Sequence, residues 1–109
     1  MVTHRSRGAG HDVFHAIADP TRRAILDRLR AGPSPVNRLA ADFRQSRPAI
    51  SRHLRVLRRA RLVAERRAGR ERLYRLDPQP LRDVAGWLEG YRDFWLHSLT
   101  NLKRYLEES

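Results

Sequence analysis

The chain has 109 residues, a formal net charge of +11 and no cysteine. That length makes one domain with one modest core and leaves no room for a large active site. The missing thiols exclude disulfides, thiolate metal sites and thiol redox sensing, while the charge implies a polyanionic partner.

Residues 1–10, MVTHRSRGAG, show no periodicity and read as a disordered arm. They lack the apolar segment of a secretory signal, and no apolar run in the chain is long enough to cross a bilayer. A cytoplasmic protein with no membrane partner is therefore expected, with residues 11–109 as its single domain. Val13, Phe14 and Ile17 are apolar at helical spacing and predict a short first helix from about His11. Asp19-Pro20 starts a second helix, Asp19 as cap and Pro20 in the first turn, where no N–H is needed. Ala24, Ile25 and Leu29 are its expected buried stripe, and Ala31-Gly32-Pro33 ends it.

Ser34 or Pro35 is expected to open a third helix, with Val36, Leu39 and Ala40 inward and Phe43 at its end. Arg44-Gln45 is a tight connection to Ser46, a suitable N-cap, with Pro48 in the first turn that follows. Ile50, Leu54 and Leu57 then recur at i, i+4 and i+7, the core stripe of a fourth helix over Ser46–Arg59. Two short helices joined by so short a turn make a helix-turn-helix. Residues 62–66 and 72–76 read as two strands, with Ala68-Gly69-Arg70 at the bend. The fold expected is mainly α with a small β-hairpin: a winged helix-turn-helix in the order α-α-α-α-β-β-α. Asp77-Pro78-Gln79-Pro80 leads into a last helix from about Pro80 to Glu107.

That last helix is too apolar for one small domain to cover. Val84, Leu88, Tyr91, Trp95, Leu99, Leu102 and Leu106 alternate three- and four-residue steps, as a helix–helix seam does. With Trp87 and Phe94 added, the pattern predicts a second buried surface, a homodimer interface. The expected interface residues are Val13, Phe14 and Ile17 of the first helix and Val84, Trp87, Leu88, Tyr91, Trp95, Leu99 and Leu102 of the last.

The charge has a location. Arginine supplies 22 of the 23 basic residues, which suggests a coding bias, but bias alone spreads charge evenly. Residues 44–75 hold twelve arginines against Glu65 and Glu71, a net of +10, whereas residues 76–109 net −2. This block coincides with the fourth helix and the hairpin. With Ile50, Leu54 and Leu57 inward, the outward residues of the helix are Arg47, Pro48, Ser51, Arg52 and Arg55. Arginine pairs bidentately with guanine O6 and N7, serine bonds bases or phosphate, and Ser46 with the helix N-terminus favours a phosphate oxygen. Arg66, Arg67, Arg70 and Arg72 of the hairpin extend the same surface. A merely solvated helix face is the competing reading, and the adjoining hairpin arginines weigh against it. His53 lies beside the core stripe and reads as a packed or phosphate-bonding side chain rather than a metal ligand.

The segments FHAIADPTRRAILDRL, LAADFRQSRPAISRHLRVLRRARLV and ERRAGRERLYRLDPQPL resemble the ArsR-type winged-helix repressors in order and spacing. The tail WLEGYRDFWLHSLTNLKRYLEE is similar to a subgroup with a long aromatic final helix. The resemblance spans about residues 11–108. It implies a homodimer built from the first and last helices, with two recognition helices in successive major grooves of an inverted-repeat operator. Metal sensors of that family carry a cysteine-x-cysteine pair in the third helix. Here Pro33-Ser34-Pro35-Val36-Asn37-Arg38-Leu39 offers no soft ligand, which rules out thiolate sensing. His11/His15 and Asp93/His97 sit at i, i+4 and are each at most half of a zinc site completed by a partner chain; surface pairs of this kind are common, and no metal is expected. No GxGxxG or P-loop pattern is present, no cofactor is expected, and the residues point to no effector.

The main expectation is thus a sequence-specific, homodimeric repressor of double-stranded DNA. The alternative is a non-specific architectural DNA-binding protein, which would contact phosphates without base readout. An enzyme would need a nucleophile–base or metal constellation, and the sequence shows none.

Overall fold

The computed structural model describes residues 13–108. The arm expected at residues 1–10 and His11 lie outside them. In chain order the elements are α1 (Val13–Ala16), α2 (Pro20–Leu29), β1 (Ser34–Pro35), α3 (Val36–Phe43), α4 (Arg47–Arg59), β2 (Val63–Ala68), β3 (Glu71–Leu76) and α5 (Leu81–Glu108).

Local chemistry fixes the helix ends. Asp19 caps α2: its carboxylate accepts the Arg22 N–H at 3.0 Å, with Pro20 in the first turn. That bond is the largest cause holding the Asp19 carboxyl below the ordinary aspartate range. The Arg22 guanidinium closes the preceding helix, donating to the Ala16 carbonyl at 2.7 Å and the His15 carbonyl at 3.1 Å, while Arg23 donates to Ile17 O at 2.8 Å. The Ala16 carbonyl is thereby satisfied, and the His15 carbonyl, which already accepts the Ala18 N–H at 3.2 Å, gains a second donor. Ser46 caps α4, its Oγ accepting the Ala49 N–H at 3.2 Å.

The two helices of the helix-turn-helix end alike. Gln45 N–H reaches Ala40 O and Arg44 N–H reaches Ala41 O; Leu62 N–H reaches Leu57 O and Arg61 N–H reaches Arg58 O. Both are six-to-one and five-to-two closures of the Schellman type, with a left-handed residue at the bend. Arginine occupies that position twice, Arg44 at φ 53° and Arg61 at φ 62°, where glycine is usual. The first bend turns α3 into α4; the second drops Leu62 into the core and starts the hairpin.

The core is a single cluster: Val13, Ala16, Ile25, Leu26, Leu29, Leu39, Ile50, Leu54, Leu57, Ala60, Leu62 and Val63. All three residues of the expected α4 stripe are in it. In α2 the deeply buried residues are Ile25, Leu26 and Leu29, with Ala24 only half-buried. Ile17, Val36, Ala40, Phe43, Val56, Tyr74, Leu76, Leu81 and Val84 pack around this centre.

One strand departs from the expected order. Ser34–Pro35 is not the start of a helix but a short strand on the free edge of β3, pairing Ser34 with Tyr74 and Pro35 with Leu73. The sheet order is β1-β3-β2. Ser34 is buried, and α3 begins one residue later with Pro35 as a cap lacking any side-chain bond. Proline suits this place, since an edge position does not need its missing N–H. The hairpin is also longer than expected. Pairing runs from Val63–Leu76 out to Ala68–Glu71, which leaves Gly69-Arg70 as a two-residue turn. Gly69, at φ 65°, supplies the positive angle at the first turn position.

The final helix runs 28 residues, about 42 Å at 1.5 Å per residue. None of its residues is buried; Leu81 and Val84, partly buried, pack against the core cluster. Its N-terminal part is braced by α1 through an aromatic ladder. Phe14 meets Trp87 edge-on at 5.9 Å, Trp87 meets Tyr91 at 5.3 Å, and Tyr91 meets Phe94 at 6.3 Å.

Candidate nucleic-acid interface

The hairpin register decides which of its arginines face α4. Strand pleating puts Val63, Glu65 and Arg67 on one face together with their partners Leu76, Tyr74 and Arg72. Val63 is in the core, so this face turns inward, toward α4. Arg66 and Arg75 project from the opposite face, and Arg70 sits at the hairpin tip.

The matching face of α4 is Ser51, Leu54, Arg55, Arg58 and Arg59, spaced i, i+3, i+4, i+7 and i+8. With Arg72 and Tyr74 these residues line a cleft of about 500 Å³. A second, smaller hollow adjoins it toward the hairpin tip, lined by Arg47, Ser51, Arg70, Glu71, Arg72 and Tyr74 with Pro35, Val36 and Asn37. Ser51, Arg72 and Tyr74 border both. The hollow between helix and wing is thus walled by guanidinium groups.

The structure brings Arg47, Ser51, Arg55, Arg70 and Arg72 together around these hollows. Ser46 and Pro48 stand at the exposed mouth of α4. Arg52 is exposed and lies outside both hollows, and Arg66 and Arg67 are exposed farther along β2. Ser51 differs from its expected place on the outermost face. It is half-buried and lines the hollows together with Arg72 and Tyr74 of β3. Arg58, Arg59, Asn37 and Tyr74 were not singled out from the sequence. The i+7 and i+8 spacing from Ser51 held the signal for the two arginines; only the strand register finds Tyr74.

Glu65 was also missed. Its side chain, 16% exposed, accepts from Arg58 Nη1 on α4 and lies 2.9 Å from Arg72 Nη1 on β3. Both arginines are more than half exposed. Ion pairs so open to water contribute about 0–1 kcal/mol each, so this bridge matters more for placement than for stability.

His53 lies on the other side of α4. Its Nδ1 is 3.5 Å from Arg22 Nη1 and 4.0 Å from Asp19 Oδ2, joining the helix to the α1–α2 junction. It is a packed histidine, remote from the cleft. On α5, Asp93 and His97 border a shallow depression with Phe94. Among the described residues no three His, Cys, Asp or Glu side chains converge.

Among the expected interface residues, Phe14, Trp87, Leu88, Tyr91, Trp95, Leu99 and Leu102 are exposed in the single chain. Val13 is not: it is 4% exposed and committed to the chain's own core, because α1 lies against α4 and α5. Ile17 and Val84 are partly covered by the same core.

A helix-turn-helix followed by a basic two-stranded wing defines a winged-helix DNA-binding protein. The sequence profile described as "Bacterial regulatory protein, arsR family" matches residues 19–65, from the cap of α2 to the first half of β2. The HTH-type transcriptional regulator Rv2034 of Mycobacterium tuberculosis is 44% identical over 107 residues, covering 98% of this chain and 94% of that protein. The transcriptional repressor SdpR of Bacillus subtilis is 40% identical over 81 residues, covering 74% of this chain and 90% of its own. Among solved structures, an ArsR-like transcriptional regulator from Rhodococcus sp. RHA1 superposes with a TM-score of 0.75 at 31% identity, covering 100% of this chain and 99% of the other. The chain belongs to the ArsR family of winged-helix, DNA-binding transcriptional regulators, and it has no cysteine with which to build that family's thiolate metal-sensing motif. The family is one of regulators, not enzymes. No helix among the described residues is long and apolar enough to cross a membrane.

Proposed function

We propose that this protein is a cytoplasmic, homodimeric repressor that reads an inverted-repeat operator, inserting α4 into the major groove and laying the wing along the flanking backbone. The observation that carries the reading is the arginine-walled hollow between α4 and the wing. An α-helix with side chains is about 10–12 Å across and the major groove about 12 Å wide. A helix seated there brings Arg47, Arg52 and Arg55 to base edges and backbone. The strand of DNA bordering the groove then runs into the hollow beside the wing, where Arg58, Arg59, Arg70 and Arg72 meet phosphates. Ser46 Oγ–H and the Arg47 N–H at the start of α4 suit a phosphate at the groove edge, the Ala49 N–H being taken by Ser46 Oγ and Pro48 having none. Repression is supported by the likeness to a protein named a transcriptional repressor.

Dimerisation is supported by the exposed apolar side of α5. Trp87, Leu88, Tyr91, Trp95, Leu99 and Leu102 form a stripe that the described residues leave exposed. Two reading heads related by a two-fold axis require an inverted repeat with half-sites about one DNA turn, roughly 34–36 Å, apart. Nothing in this arrangement calls for a bridging metal ion.

The test is selection of binding sites from a random duplex pool, followed by footprinting of the winner. Two protected half-sites in inverted orientation are expected. A single asymmetric half-site contradicts the two-fold reading, and uniform protection without any enriched sequence favours the architectural alternative.

A further inference from the structure

We propose that Glu65 is a specificity-determining residue, which holds Arg58 and Arg72 in a fixed, partly neutralised bridge across the cleft between α4 and the wing. The inference rests on the reading of that cleft as a DNA interface. Residues 44–75 carry twelve arginines and two acids, and Glu65 is the acid paired with one arginine from each wall of the cleft, Arg58 of α4 and Arg72 of β3. Its carboxylate accepts from Arg58 on α4 and is 2.9 Å from Arg72 on β3.

Two consequences follow for DNA. First, two guanidiniums and one carboxylate bring a net charge of +1 to this part of the cleft instead of +2. Phosphate contacts raise affinity for every sequence equally, whereas base contacts discriminate. An acid at this point trims the indiscriminate part and leaves the base-reading part intact. Second, the bridge fixes the offset between wing and helix. Ser51 and Arg55 share the cleft with Arg58 and Arg72. Their register against base edges therefore depends on where the wing rests. Glu65 acts through its two arginines and is a positioning residue.

The experiment compares Glu65→Gln with the wild type in binding two duplexes across a salt series. One duplex is that selected from a random pool by the wild-type protein; the other is its scrambled version. The amide keeps the shape of the carboxylate and loses its charge. Expected for the variant is about 3- to 10-fold tighter binding to the scrambled duplex at low salt. Its log K against log salt slope should steepen by about 0.9, one added phosphate contact. The ratio of selected to scrambled affinity should fall at least about threefold. Adding Arg72→Gln to Glu65→Gln should return the slope to the wild-type value. A melting curve checks that each variant folds; if Glu65→Gln does not, Glu65→Met, uncharged and of similar length, is read by the same criteria. An unchanged slope and ratio overturns the proposal, as does equal weakening of both duplexes, which assigns Glu65 a structural role alone. A wild-type protein without any preference for a selected duplex sinks the underlying reading instead, and this inference with it.

Discussion

The winged body and the last helix are made by different rules. From Val13 to Leu76 the chain buries twelve apolar side chains in one cluster and caps its helices with its own groups. Over Leu81–Glu108 it buries none, although that helix holds two tryptophans, two tyrosines, a phenylalanine and several leucines. The body is a finished fold that exposes charge. The helix is unfinished by itself and exposes hydrocarbon. Burial contributes about 25 cal/mol per Å² of apolar surface, so a helix that leaves its stripe in water gains little from tertiary packing. On the proposed function, one short sequence specifies two partners separately: a polyanion for the body and a second apolar surface for the helix.

The contrast is sharpest if each region is cut at its centre. Leu54→Ala, in the α4 stripe, is expected to cost about 2–5 kcal/mol of folding stability. In chemical denaturation that loss should appear at every protein concentration. Trp95→Ala, at a residue 53% exposed in the single chain, should leave the body's packing intact and weaken self-association by about 2 kcal/mol or more. Its unfolding midpoint should fall mainly at low protein concentration. A Trp95→Ala loss independent of concentration would break the comparison, since the side chain would then belong to the body.

A smaller effect concerns the body's charged surface. Arg52→Ala should cost about 1–3 kcal/mol of operator affinity and relax preference at one base position. Arg70→Ala, at the wing tip, should weaken all sequences alike. Neither should alter the sedimenting mass. Competition binding with single-base operator variants checks the pair, and equal losses on operator and random DNA for Arg52→Ala would reverse the assignment.

The smallest effect lies within the body, at the junction of α1 and α2. Asp19 is held below the ordinary aspartate pKa first by the Arg22 N–H, with His53 and Arg22 adding to it. A carboxylate with a depressed folded-state pKa stabilises above its unfolded value and loses that contribution as pH falls through the folded one. Stability should therefore decline in acid below the ordinary aspartate range, and Asp19→Asn should flatten part of that decline. Thermal melts from neutral pH into acid measure it; an identical acid slope in wild type and variant would remove Asp19 from the account.

Much of the body was legible in the sequence because its signals are local. Asp19-Pro20 and Ser46 with Pro48 name helix starts through hydrogen bonds only a few residues long. The Ile50, Leu54, Leu57 stripe follows from helical period alone. β1 escaped because Ser34–Pro35 is a strand only by virtue of β3, about forty residues on. Leu26 outranked Ala24 for a similar reason: period marks a face, but the neighbours decide which edge of that face is deepest. The arginine surface was readable as composition. Its division into hollow and outer face was not, since the side of α4 that meets the wing depends on the hairpin register. Glu65 is the clearest case, an acid in a basic run whose two partners lie seven residues away in opposite directions.

The exposed stripe of α5 is proposed to be buried by a second copy of the chain. Sedimentation velocity of the full chain, from sub-micromolar to tens of micromolar, tests it most directly. The prediction is one species at twice the 12.8 kDa chain mass throughout the micromolar range. A chain that sediments at 12.8 kDa across that range would contradict it.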